Sequence, residues 1–133
     1  MCLTRQDNRV LTRARKSPMK LAYKAGFVKV GGGKKFLQPP IKNCQDLEFG
    51  VWNEDKAIGA IPDWNDVSYS KGFHLFVKYR DAEEYMDLVV RCEYDDVVAA
   101  GFETEWPVIV VRKIKPEKVL KRWKDENDDG PLY

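Results

Sequence analysis

An α+β fold, a single domain with a mostly antiparallel, curved sheet of five or six strands and two short helices, follows from three observations. Residues Gly72 to Met86 read as a strand running into a short helix, and Leu88 to Tyr94 follow as another strand. Two more β-rich runs, Val97 to Phe102 and Val108 to Ile114, are joined by Glu103 to Pro107, a spacing that suits a hairpin. Hydrophobic residues fill 44% of the 133 positions, enough for one core without covalent staples.

In chain order, residues 1–19 are read as a basic, flexible arm, 20–124 as the α+β domain and 125–133 as an acidic tail. The first strand spans Lys20 to Val30, where Leu21, Tyr23, Ala25, Phe27 and Val30 alternate loosely. Three glycines, Gly31 to Gly33, end it. Phe36 to Ile41 is extended or a loop, because Pro39 and Pro40 cannot sit in a paired central strand. Leu47 to Trp52 is a short strand, and Trp52 to Tyr69 is a surface excursion rich in turn-forming Asn and Asp.

Gly72 to Val77 alternates cleanly, with Phe73, Leu75 and Val77 on one face and His74 and Phe76 on the other. Arg80 to Met86 is the first helix, setting Ala82, Tyr85 and Met86 on the sheet. Pro116 is placed at the first position of a final helix whose buried stripe is Val119, Leu120 and Trp123.

Charge is segregated. Residues 1–35 carry ten Lys/Arg against Asp7 alone, close to +9, and the remainder carries 13 Lys/Arg against 20 acids, close to −7. A basic leader on an acidic body invites a polyanionic or self-complementary partner. Arg5, Arg9, Arg13, Arg15 and Lys16 are the candidate nucleic-acid contacts, and Arg9, Arg13 and Lys16 share a face if a helix forms. The arm has no aromatic residue to stack on a base, so such binding would be phosphate-driven and salt-sensitive. No run approaches the roughly 18 apolar residues of a membrane span, so no membrane partner is expected. Three scattered cysteines, Cys2, Cys44 and Cys92, suit a reducing, cytoplasmic setting.

Chemical motifs are sparse. Gly31 to Lys35 departs from a phosphate loop, with Val28 and Lys35 where the first glycine and the hydroxyl belong. Asp63, Asn65 and Asp66 depart from a calcium loop, which lacks its central glycine and has His74 at the twelfth position. One histidine and dispersed cysteines give no zinc spacing, and no metal is expected. Cys2 after Met1 has the chemistry of an N-terminal nucleophile but opens a basic arm rather than a sheet. His74, alone on its strand, is read first as a hydrogen-bonded structural residue and second as a general acid or base.

Met1-Cys2-Leu3, Tyr23-Lys24, the run Gly72 to Phe76, Ala82 to Tyr85 and Val97 to Gly101 together resemble small domains common in bacteriophage and prophage genomes. The likeness covers roughly residues 20–115 and implies a mobile-element setting, in the host cell cytoplasm, with no activity to carry over. The chain is also similar, more distantly, to the split core of ADP-ribosyltransferase-like proteins. That resemblance implies NAD as cofactor, Tyr23 and Tyr85 as its aromatic cradle, and Glu93 or Glu103 as the catalytic acid. Tyr-Lys stands here where that family has Tyr-Arg or His-Gly, and no Ser-Thr-Ser follows.

The resulting expectation is a non-enzymatic phage- or prophage-type accessory protein, without cofactor, that binds a host or viral macromolecule, most naturally a protein. Trp52, Trp64 and Trp106, all in loops on this reading, are its candidate anchors. The alternatives are an ADP-ribosyltransferase-like enzyme or its inactive relative, using Tyr23, His74, Tyr85 and Glu93 with NAD, and nonspecific nucleic-acid binding by the basic arm.

Overall fold

In a computed structural model, residues 3–38, 46–55, 60–61, 69–70, 72–86 and 88–121 are described. The elements in order are β1 (Arg5–Gln6), α1 (Asn8–Lys16), β2 (Leu21–Ala25), β3 (Phe27–Gly31), β4 (Lys34–Gln38), β5 (Leu47–Glu48), β6 (Asn53–Glu54), β7 (Ala60–Ile61), β8 (Tyr69–Ser70), β9 (Phe73–Phe76), α2 (Tyr79–Tyr85), β10 (Val89–Glu103) and β11 (Trp106–Lys121). The expected α+β class holds, with two helices and a mostly antiparallel six-stranded sheet among the described residues. A three-stranded sheet, β3-β4-β5, and a two-stranded pair, β7-β8, accompany it.

The β10–β11 hairpin is the backbone of the fold. Glu103 pairs with Trp106 across a two-residue turn, and pairing continues to Val89 and Lys121. Thr104 takes a left-handed φ of 58°, uncommon for a β-branched residue. Its amide donates to Thr4 Oγ1 at 2.9 Å, and that hydroxyl donates to the Phe102 carbonyl at 2.9 Å, which ties the turn to the N-terminal segment.

β2 pairs with β10, β9 with β11, and β2 meets β9 at Tyr23–Phe76, so these four strands form a closed circuit. Irregularities at Val89/Val90, Arg91/Cys92 and Val97/Ala99 supply the bending that such closure needs. The sheet carries apolar residues on both faces. One face, with Leu75, Cys92, Ile109 and Val111, packs under α1 and the β3-β4-β5 sheet; the other, with Phe76, Val89, Val108 and Val110, packs under Ala82 of α2.

Three sequence expectations are corrected. The separate strands expected at Leu88 to Tyr94 and Val97 to Phe102 are one, β10: Asp96 adopts φ 57° without a change of register, Asp95 and Val97 still facing Lys113 and Val111, and its amide donates to Asp95 Oδ1 at 2.8 Å. The final helix is strand. Pro116 pairs with Cys92 and Lys118 with Arg91, which leaves Glu117 as an extra residue in the ladder. That insertion turns strand spacing into the three-residue interval from Pro116 to Val119 that mimics a helix, and a bulge tolerates a residue without an N–H. Trp123 and the acidic tail lie outside the described residues.

The third correction concerns the arm. Ordered structure begins before Met19, with β1 on β10 and then α1. Asp7 caps α1, its Oδ1 accepting from the Arg9 and Val10 amides at 2.8 and 3.2 Å. The Tyr94 hydroxyl donates to the Ala14 carbonyl at 2.9 Å, and Arg15 donates from Nε and Nη2 to the Val97 carbonyl at 3.2 and 2.9 Å. Those bonds hold α1 to the sheet.

The Lys20 to Val30 strand divides between two sheets, β2 in the large one and β3 in the small one. Gly32 and Gly33, with φ 59° and 76°, make the tight β3–β4 turn, the positive-φ pair that a two-residue hairpin favours. Lys29 pairs with Asp46 at 3.7 Å, Lys34 with Glu48 at 3.6 Å, and Lys35 lies 4.7 Å from the Phe49 ring centre. Those lysines brace the small sheet.

Gly101 is where the N-terminal segment comes closest to β10. A Cβ there would stand 2.0 Å from the Arg5 carbonyl oxygen and 2.7 Å from Gln6 Cα. Both are backbone atoms, so β1 has to move. Gly101→Ala is expected to cost about 1–3 kcal/mol through overpacking and to loosen Leu3 from the α2-side core. Urea denaturation reads the first effect, and faster amide exchange at Thr4 and Gln6 reads the second. Unchanged exchange there would refute the close approach.

Candidate binding groove

A groove of about 510 Å³ opens where the turn between α1 and β2 faces the segment around Trp52, and Glu93, Asp95 and Glu117 also line it. Met19 is 68% and Trp52 49% exposed, two large apolar side chains held toward water. A second hollow of about 410 Å³ adjoins through Trp52 and Asp95 and is bordered by Glu54 and Lys113.

The frame beneath Trp52 is built by hydrogen bonds. Asn53 Nδ2 donates to the carbonyls of Glu48, Val51 and Ile114 at 3.0, 3.0 and 3.3 Å, while its Oδ1 accepts from the Glu48 amide at 3.0 Å. Gly50, at φ 78°, donates its amide to the Pro116 carbonyl at 2.8 Å. Arg112 donates to the Asp55 carbonyl from Nε and Nη2, and the Asp55 amide returns a bond to the Arg112 carbonyl at 2.9 Å. Residues 48–55 are therefore clamped on both sides of Trp52. On the opposite wall, the Ser17 hydroxyl donates to the Met19 carbonyl at 2.8 Å.

Charges in the groove are paired but reachable. Lys115 Nζ lies 3.4 Å from Glu93 Oε2 and 5.4 Å from the Trp52 ring centre, so one ammonium links the tryptophan to the carboxylate. Arg91 Nε stands 3.8 Å from Glu117 Oε2, and Lys20 Nζ 3.5 Å from Asp95 Oδ1. A hydrogen bond with Glu117 holds the Glu93 carboxyl below the usual carboxylate range, and the same bond raises Glu117. The Asp96 amide lowers Asp95. An apolar side chain between Met19 and Trp52, with a polar or cationic group over the acids, matches this surface.

Of the three candidate tryptophans, Trp52 alone is described as exposed. Trp106 is a packing residue: its ring lies 5.7 Å from Phe76 and 6.4 Å from Tyr85, at the start of β11 rather than in a loop. Trp64 lies outside the described residues, as do Cys2 and Cys44.

The residues named for the enzyme alternative have different surroundings. Tyr23 meets Tyr79 at 5.8 Å, and Tyr85 meets Phe76 at 5.5 Å, so both belong to the aromatic packing beside α2. Glu93 contacts Lys115 and Glu117 in the groove. His74 sits on β9 opposite Val110, and burial pushes its imidazole down to about 3, assisted by the Lys24 charge. It is neutral at physiological pH. Buried Lys24, which the sequence flagged only through the Tyr-Lys pair, donates from Nζ to the His74 carbonyl at 2.9 Å. Cys92 is fully buried and its thiol is pushed up to about 12, so it is no nucleophile. Burial also raises Glu103, whose Oε2 has no hydrogen-bond partner among the described residues.

The candidate nucleic-acid residues divide too. Arg15 is spent on the Val97 carbonyl, and Arg5 lies 4.2 Å from the Phe102 ring centre. Arg9, Arg13 and Lys16 are exposed on α1. Among the described residues no His/Cys/Asp/Glu cluster could hold a metal, and no helix is long and apolar enough to cross a membrane. Comparisons with family models, with curated proteins and with solved structures find no match for this chain.

Proposed function

We propose that this chain is a non-enzymatic accessory protein of phage or prophage type, and that it binds a host or viral protein in the groove at Trp52. The observation that carries the reading is the rigid presentation of Trp52 and Met19 to solvent on either side of one concave surface. Tryptophans at the centre of such surfaces are frequent anchors of protein interfaces.

The test is capture of the tagged protein's partners from host lysate, treated with nuclease, by the native chain and by Trp52→Ala. Loss of the anchor is expected to weaken capture by at least ~2 kcal/mol, roughly thirtyfold. The thermal midpoint should stay within a degree or two, since Trp52 is half exposed. Equal recovery of every partner by the variant would reject the groove.

A second reading rests on Arg9, Arg13 and Lys16, which the formed helix does bring to one exposed face. It makes α1 a phosphate-contacting element, and it predicts retention of DNA or RNA that falls steeply with salt and is lost in the triple alanine variant.

A further inference from the structure

We propose that the cavity between α1 and the β10–β11 hairpin is a binding site for a single-chain amphiphile with an anionic head, of the medium-chain carboxylate class. The cavity measures about 360 Å³, at the lower end of the ~300–1,000 Å³ typical of small-molecule sites. It is separate from the Trp52-bearing wall of the groove.

Its origin is the way α1 is fastened. Val10, Arg13, Ala14 and Ser17, at i, i+3, i+4 and i+7, present one flank of the helical segment to the space. The bonds from Tyr94 to Ala14 and from Arg15 to Val97 pin the helix at two points. Small Ala14 and Ala22 leave room against Ile109. The void is therefore a consequence of side-chain size under an anchored helix, and its walls are predominantly apolar.

The mouth supplies the polarity. Arg13 and Lys78, both exposed, and Glu105 border the cavity, which leaves one excess positive charge. Among the described residues Arg13 makes no ion pair and no side-chain hydrogen bond. An alkyl chain fits the walls, and a carboxylate fits a guanidinium and an ammonium at the entrance. A neutral chain would leave the excess positive charge unanswered, and a cationic one would add to it. Charge complementarity thus selects an anionic head.

The experiment is calorimetric titration of the full chain with decanoate, decanol and decylamine below their aggregation limits, with amide shifts followed by NMR. Decanoate is expected to bind at a single saturable site, with the other two probes at least roughly tenfold weaker, about the effect of one charge-assisted contact. Shifts should centre on Val10 and Ile109, which line this cavity and not the groove. The double variant Arg13→Ala/Lys78→Ala should lose about tenfold for decanoate with an unchanged melting curve, because both side chains are exposed. Trp52→Ala should leave decanoate binding intact, which keeps the outcome independent of the groove. Failure of decanoate to saturate, equal affinity for all three probes, shifts confined to the Trp52 surface, or full affinity in the double variant would each overturn the assignment.

Discussion

Phe76→Ala is expected to lower unfolding free energy by about 3–5 kcal/mol, the range for deleting a fully buried aromatic ring. Phe76 has no exposed surface, and its ring touches Tyr85 at 5.5 Å and Trp106 at 5.7 Å. It also sits at the Tyr23–Phe76 pair, where β9 meets β2 and the circuit of strands closes. Three elements therefore lose a shared contact at once. The neighbouring rings come from α2 and from a clamped hairpin end, so they can fill little of the space. Phe76→Leu should recover roughly half of the loss, since most of the buried volume returns. Urea denaturation at neutral pH measures both. A loss below about 1 kcal/mol for the alanine variant would show that the aromatic cluster is not a keystone.

The second large effect is on acid stability and comes from His74. In the unfolded chain the imidazole titrates near 6.5, and in the folded protein burial and Lys24 hold it near 3. Between those values the unfolded chain takes up a proton that the folded chain refuses. Stability is therefore full above about pH 6.5 and declines as pH falls, levelling only near 3. Linkage puts the loss at about 2–4 kcal/mol by pH 4. Asp81 and Glu103, both raised by burial, act in the opposite sense, because the folded state binds their protons more readily. The comparison that isolates His74 is the pH profile of His74→Gln, expected to be flatter between pH 6.5 and 4 by that amount. Parallel profiles for the two proteins would exclude a desolvated, neutral imidazole.

How much was legible follows from the range of the interactions involved. The alternation of Phe73, Leu75 and Val77 against His74 and Phe76 is local, and the structure divides those residues between the two faces as the period requires. The Glu103 to Pro107 turn and the α2 helix were readable for the same reason. α1 was not read, although its signals were present: Asp7 stands at the cap, and Val10, Leu11 and Ala14 form a narrow apolar stripe. The surrounding arginines and lysines made the segment look like a solvated tail. The expected final helix has a different cause, since the extra residue at Glu117 is visible only against the partner strand, and in the chain's own spacing it leaves a three-residue interval that reads as helix.

The sites were less visible than the fold. Trp52 and Glu93 were each named, but nothing in the chain between them tells that Lys115 joins them, because β6 and β10 approach from opposite sides of β11. Trp106 looked like a loop anchor because Pro107 follows it, yet the hairpin turn ends at Glu105 and directs the ring onto Phe76. Arg13 reads in the sequence only as a phosphate contact, and its place beside an apolar cavity appears only once the helix is anchored to the sheet.

The strand circuit has a further consequence for biosynthesis. β1 and β2 find their partners in β10, so Arg5 waits for Phe102 and Tyr23 for Arg91. During translation the first half of the chain emerges without the strand that organises it, and its apolar segments stay uncovered until the late hairpin is made. That hairpin is local and able to form early once synthesised, after which α1 and β2 dock onto it. A nascent chain stalled before residue 106 lacks β11 and so leaves uncovered the apolar surface that chaperones and proteases recognise.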